Sequence, residues 1–473
     1  MKRSLCIVLV LLILLPLTAY GADVSPSVSA TPSESPPPVA TDSSITGIMS
    51  EGLNPPPILA KSAIVVELNS DVTLYDLDSH TARPMASLTK IMTALLCLES
   101  SLDLQGEVTA QASAFAGLSP DGSTANIKTG ETMTFESLLY CIMVASANEA
   151  CNIAAEHVAG SVPAFVEMMN AKAKELGCLN TNFTNPHGLH EDGHYSSAYD
   201  MYLMIKEAMK YPFFMQLANT LSKAIPPTNM TPTERSLLTT NYLISKATQD
   251  GYLYDLALGI KTGHHSNAGY CLASSAKNEG KKMYIVTVVL GSEKTADGIT
   301  HSFTDTKALM EWSFNAYEFR TILTTKEIIT STKVQMGKEL DSVNLNPKNA
   351  VTVLVPSILE TKNIQRHWTL QADGNIVAPV KKSEQLGELT LAYRNYTFAT
   401  VPLISDAAVE LDEAQHLAQE ADQLLHRKEL WYVIFAIAGA IILWLIIMII
   451  LGLSRRKKRE QRGNYKGRKK RRR

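Results

Sequence analysis

The chain has 473 residues, with 44 Lys or Arg against 46 Asp or Glu and a formal net charge of −2. The balance is unevenly placed: Ser454 to Arg473 holds thirteen Lys or Arg and one Glu, a net +12, which leaves −14 on everything before it. A basic run can bind nucleic acid, but directly after the apolar stretch Leu430–Leu453 it fits membrane topology and contact with anionic lipid better, and six cysteines with no CxxC pair exclude a small disulfide scaffold.

The N-terminus has Lys2 and Arg3, an uncharged apolar run from Leu5 to Leu17, and then Ala19-Tyr20-Gly21. This three-part layout predicts a secretory leader over residues 1–21, cleaved after Gly21. The run is short for a membrane span, which takes about 20 residues. Cys6 leaves with the leader. Cys97, Cys141, Cys151, Cys178 and Cys271 remain, and buried free thiols are expected. Residues 22–57 are rich in Ser, Pro and Thr, so they bury too little apolar surface to fold and form a disordered spacer.

Residues 58–320 are long enough for one large domain. Strands are predicted at Ser62–Glu67 and Val72–Tyr75, with Asn69-Ser70-Asp71 as the turn between them. Helical periodicity follows at Ser87–Glu99, Phe135–Cys151, Pro163–Leu176 and Ala198–Lys210. Lys282–Leu290 is near-continuously apolar and β-branched, as in a buried strand. Strands at both ends with helices between them predict an α+β domain with an inserted helical lobe.

Short alternating stretches over 321–405 predict a small antiparallel β domain. A charged helical pattern, 406–429, leads into Leu430–Leu453, 24 uncharged residues that suffice to cross a bilayer. Trp431 and Tyr432 suit the interface at its start. The basic tail, 454–473, is expected in the cytoplasm beside anionic lipid, with the body outside the cytoplasmic membrane.

Three short motifs carry the chemistry: Ser87-Leu88-Thr89-Lys90, Ser146-Ala147-Asn148 and Lys261-Thr262-Gly263. A spacing of three on a helix sets Ser87 and Lys90 on one face. A serine hydroxyl needs a base to become nucleophilic, and a lysine can be that base only if its pKa falls. Lys261, brought close in the fold, is expected to supply the lowering cation. Ser87 near a helix N-terminus places backbone N–H groups, its own among them, where an oxyanion would develop. Ser146 and Asn148 on a connecting turn can pass protons and hold a substrate amide. Lys261-Thr262-Gly263 on a strand edging a cleft can bind a carboxylate, with glycine admitting the substrate backbone.

These motifs and their surroundings resemble one family, the low-molecular-mass penicillin-binding proteins, which are serine D-alanyl-D-alanine carboxypeptidases. ARPMASLTKIMTALL looks like their nucleophile helix, SANEACNIAAEHVAG like their second motif and GIKTGHHSNAGYCLASSAKNEGKKMYIVTVVLGS like their third. FVEMMNAKAKELG, TNFTNPHGL and HYSSAYDM are similar to further stretches, and GNIVAPVKKSEQLGELTL to their C-terminal β domain. The resemblance implies a penicillin-binding, β-lactamase-like transpeptidase fold: an antiparallel sheet flanked by helices, with a helical lobe. It implies Ser87 as acylated nucleophile, Lys90 as base, and Ser146, Asn148 and Lys261 completing the proton network. Thr262 and Gly263 would bind the terminal D-alanine. The implied partners are peptidoglycan stem peptides ending in D-Ala-D-Ala, with β-lactams as covalent inhibitors. No metal or cofactor is implied. The family usually has Thr two positions after the Lys-Thr-Gly glycine; here it is His265, within the substrate-binding group.

Three rivals share parts of the pattern. A serine β-lactamase needs a glutamate-activated water, and Glu167 near Asn170 offers one, though inside an amphipathic helix. His187, His190 and His194 have metal-like spacing, but Pro186, Gly188 and Gly193 argue against one continuous helix there. A non-catalytic penicillin-binding sensor would not need Ser87, Lys90, Ser146, Asn148 and Lys261 all intact.

Overall fold

The computed structural model describes residues 52–469 apart from 121, 247–250 and 395. The leader, most of the Ser/Pro-rich spacer and the last four tail residues lie outside the described residues.

β1 (Ser62–Glu67) and β2 (Val72–Leu77) form the expected antiparallel pair. A 3-10 turn, Ala86–Thr89, runs directly into α1 (Lys90–Glu99). The hairpin β3 (Glu107–Thr109) and β4 (Thr132–Thr134) precedes α2 (Phe135–Met143), α3 (Asn148–Ala159), α4 (Val162–Glu175), α5 (Ala198–Ala208) and α6 (Pro212–Ala218). A second hairpin, β5 (Ser222–Ile225) with β6 (Arg235–Leu238), returns the chain to β7 (Ala257–His265), β8 (Gly269–Asn278), β9 (Met283–Ser292) and α7 (His301–Ala316).

The long strands join the first pair in one antiparallel sheet of order β2-β1-β9-β8-β7. β1 is buried at all six positions. Ile64 and Val66 join the core under the helical lobe, whereas Ala63 and Val65 pack with Leu309, Met310 and Phe314 of α7. Both faces being covered, the strand is apolar throughout rather than alternating. β7 is left at the sheet edge, where it flanks the 3-10 turn.

The predicted helix over 135–151 is two helices. Ser146 has φ +57°, and the Ala147 N–H reaches back to the Cys141 carbonyl at 3.0 Å. A left-handed residue cannot continue a right-handed helix, so α2 stops and α3 restarts at Asn148. All five described cysteines are free and buried.

The C-terminal module opens with β10 (Tyr317–Leu323), followed by β11 (Thr330–Gln335), β12 (Ser342–Pro347), β13 (Val351–Pro356), β14 (Gln365–Leu370), β15 (Ile376–Val377), β16 (Gln385–Tyr393) and β17 (Tyr396–Ser405). Six of them make a sheet of order β14-β16-β17-β12-β11-β15, and β10 pairs with β13. They enclose their own apolar core around Leu345, Leu389, Leu391 and Leu403. The helix expected from residue 406 starts only at Glu413, because 406–412 is held to this module by bridges Val380↔Val409 and Gly337↔Leu411. α8 (Glu413–Leu425) is capped by the Asp412 carboxylate, which accepts from the Ala414 and Gln415 N–H groups. α9 (Lys428–Lys469) follows. Among the described residues it holds the one stretch, Lys428–Lys458, long and apolar enough to cross a membrane, and none of its apolar window is buried. Its length and composition fit a membrane anchor.

Candidate active site

The geometry starts from a strained turn. Ala86, just before Ser87, has φ +49°. Its carbonyl accepts from Thr89 Oγ1 at 2.8 Å, and Thr89 Oγ1 is 2.8 Å from His194 Nε2. The Thr184 N–H donates to His194 Nδ1 at 3.1 Å, so the ring proton belongs on Nε2, pointing at Thr89. Burial first, then His265, His190 and Lys90, hold His194 down at about 4, so the ring is neutral and can keep this arrangement. Gly188 closes the other side. A Cβ there would lie 2.0 Å from the Ala86 oxygen, and its φ is +89°, so only glycine fits.

Lys90 lies beneath Ser87 and is wholly buried. Its Nζ is 2.9 Å from Ser87 Oγ, 2.8 Å from Asn148 Oδ1 and 2.7 Å from the His187 carbonyl. The last two atoms can only accept. A neutral lysine would give both its protons to them and turn its lone pair to the Ser87 hydroxyl, which is the arrangement a base requires. Burial lowers the Lys90 pKa to about 8, against the opposing charges of Cys151 and Glu149.

Lys261 was expected to be the cation that lowers Lys90. Instead burial lowers Lys90, and the repulsion between the lysines falls on Lys261, which burial and then the Lys90 charge push well below its ordinary value. The two buried lysines therefore titrate as a unit. If the unprotonated form of Lys90 is the active one, kcat/KM rises with pH through about 8. Below that point it falls about tenfold per pH unit, and a pH–rate profile of D-alanine release checks this.

Ser87, Ser146, Asn148, Thr262, Gly263 and His265 line one cavity of about 600 Å³. Lys90 and Lys261 are buried and do not themselves line it. Thus the three motifs, far apart in sequence, meet as expected. β7 approaches the turn closely: a Cβ on Gly263 would come within 2.8 Å of the Met85 oxygen and 3.1 Å of the Ser87 nitrogen. Lys261 Nζ donates to the Thr262 carbonyl at 3.0 Å. His265 accepts the Ala268 N–H on Nδ1 at 3.1 Å, leaving Nε2 to carry the proton. Burial, then His190 and His264, lower its pKa, so near neutrality it offers a carboxylate an N–H donor rather than a charge.

Some lining residues gave no signal in the sequence. Thr240 bonds Thr262 through their hydroxyls, and Lys294 lines the cavity near His264. The His187 carbonyl was also missed, although Asn185-Pro186-His187-Gly188 is a turn in which Asn185 Oδ1 accepts the Gly188 N–H at 2.7 Å. The rivals fare poorly. Glu167 is exposed on α4 and does not line the cavity. His187 Nδ1 accepts the Leu189 N–H, and His194 has both nitrogens engaged, so neither ring is free to ligate a metal through those atoms.

Comparison with known proteins agrees with this geometry. Residues 49–294 match the D-alanyl-D-alanine carboxypeptidase family, and residues 317–411 match the penicillin-binding protein 5 C-terminal domain. The D-alanyl-D-alanine carboxypeptidase DacF of Bacillus subtilis is 33% identical over 349 residues, 73% of this chain and 84% of that protein. The D-alanyl-D-alanine carboxypeptidase DacA of Haemophilus influenzae is 30% identical over 354 residues, 72% and 83% of the two chains. The crystal structure of penicillin binding protein 5 from Haemophilus influenzae superposes with a TM-score of 0.55 at 28% identity, covering 76% of this chain and all of that one. The chain belongs to the D-alanyl-D-alanine carboxypeptidase family of serine peptidases.

Proposed function

We propose that this carboxypeptidase works through an acyl-enzyme on Ser87, and that it removes the terminal D-alanine from peptidoglycan stem peptides ending in D-Ala-D-Ala. The observation that carries the reading is the buried Lys90, whose Nζ is 2.9 Å from Ser87 Oγ and whose other two partners can only accept. Lys90 takes the Ser87 proton as Oγ attacks the carbonyl between the two D-alanines. The oxyanion is held by backbone N–H groups, that of Ser87 among them. The C–N bond breaks, and the leaving amine takes its proton back through Lys90 and Ser146. Water then cleaves the ester and regenerates the serine. Thr262, Gly263 and His265 receive the terminal carboxylate, with Asn148 placed for an amide of the substrate. Penicillin would acylate the same serine, and its leaving nitrogen, still tethered, would obstruct the water.

Residues 1–21 act as a leader and 22–57 as a spacer. The catalytic domain, 58–320, and the β domain, 321–405, then stand outside the cytoplasmic membrane. The linker 406–429 leads to the span 430–453, and the tail 454–473 lies in the cytoplasm against anionic lipid. Lost donor peptides would limit cross-linking of the wall. D-alanine release from a peptide ending in D-Ala-D-Ala, measured with the full chain in detergent, tests the activity. Release that penicillin abolishes supports it, and no release by folded protein contradicts it.

A further inference from the structure

Beside the reaction cavity lies a smaller one of about 220 Å³. The two share Ser119, Gly122, Ser123 and Asn148, and the smaller one has no wall at Thr262, His264, His265 or Lys294. It therefore continues the cleft away from the end that suits a terminal carboxylate. Phe115, Leu118, Pro120 and Ile127 give it apolar walls, and Glu149 lines it as well.

Glu149 is a carboxylate only 3% exposed. Its Oε1 accepts from Thr124 Oγ1 and the Ala125 N–H, each at 2.7 Å, and from the Ile127 N–H at 3.4 Å. Oε2 takes part in none of these bonds. An uncharged carbonyl oxygen could hold the 124–127 segment equally well; beyond those bonds the carboxylate favours the protonated form of Lys90, and its Oε2 is left for a further partner. A buried charge is costly unless it is paired. Apolar walls leading to a carboxylate match a methylene stem that ends in an ammonium group.

We propose that this pocket is a specificity subsite for a cationic substrate side chain. Glu149 would select peptides whose residue before D-Ala-D-Ala is a diamino acid with a free side-chain amine. The inference rests on the carboxypeptidase reading above. With the terminal carboxylate at the Thr262–His265 end, the upstream peptide leaves past Asn148, next to this pocket.

The test compares kcat/KM for D-alanine release from two peptides, acyl-Lys-D-Ala-D-Ala with a free ε-amine and the same peptide Nε-acetylated. The full chain should favour the free amine by about tenfold, equivalent to about 1.4 kcal/mol. In Glu149→Gln the ratio should fall to near one, through a higher KM for the free-amine peptide. Leu118→Arg, which brings a cation to the pocket wall, should slow the free-amine peptide and spare the acetylated one. Glu149 also favours the charged form of Lys90, so Glu149→Gln shifts the pH profile of both peptides alike, and the ratio cancels that effect. Should Glu149→Gln fail to fold, the unmutated ratio and Leu118→Arg still decide. Equal rates in the unmutated chain, or a ratio unchanged in both variants, overturn the subsite while the carboxypeptidase stands. Release from neither peptide overturns both.

Discussion

Ser87→Ala is expected to lower kcat/KM for D-alanine release by at least about 10³-fold while leaving the fold intact. The loss follows from removing the hydroxyl proposed to form the ester. The fold should survive because Ser87 is only partly buried, and among the described residues its side chain bonds Lys90 alone. Lys90 Nζ keeps Asn148 Oδ1 and the His187 carbonyl as partners. The stability change should stay within about 1 kcal/mol, read as the denaturation midpoint beside the rate assay. Labelled penicillin should no longer attach. Activity retained within tenfold would assign the nucleophile elsewhere.

Lys90→Met should cost about 10²–10⁴ in kcat/KM, the usual contribution of a positioned general base. It also has a signature in stability that sets burial apart from a mere lost contact. Burial holds Lys90 at about 8 in the fold, against 10.5 ordinarily. Between those values the unfolded chain binds a proton that the folded chain does not, so stability rises with pH across that window. Below pH 8 the full cost of the buried ammonium is present, and above 10.5 it is gone. Met carries no such cost. Relative to Lys90→Met, the unmutated chain should therefore gain about 3 kcal/mol as pH goes from 8 to 10.5. Denaturant melts of both proteins across that range measure it, and parallel curves would mean that Lys90 is not held low.

Much of the fold was legible because burial on both faces of the sheet leaves continuous apolar runs, as in β1 and β9. The Lys-Thr-Gly strand could be placed at a cleft edge from its chemistry alone. The break at Ser146 could not be placed. Its left-handed backbone leaves no mark on residue type, and the apolar run of α2 reads smoothly through it. Lys90 and Lys261 were visible as a pair, but not which of them bears the repulsion, since that depends on burial depth. The His187 carbonyl is a backbone atom and leaves no mark on residue type. Thr240 and Lys294 sit in segments with no periodicity, and Glu149 reads as an ordinary first-turn acid of α3 until its pocket is seen.

The central claim is a covalent intermediate on Ser87, and adduct mapping tests it most directly. The full chain in detergent would be treated with labelled penicillin, digested, and the modified residue located by mass spectrometry. A single penicilloyl group on Ser87, absent from Ser87→Ala, is the predicted result. A label on another residue, or none on folded protein, would contradict the account.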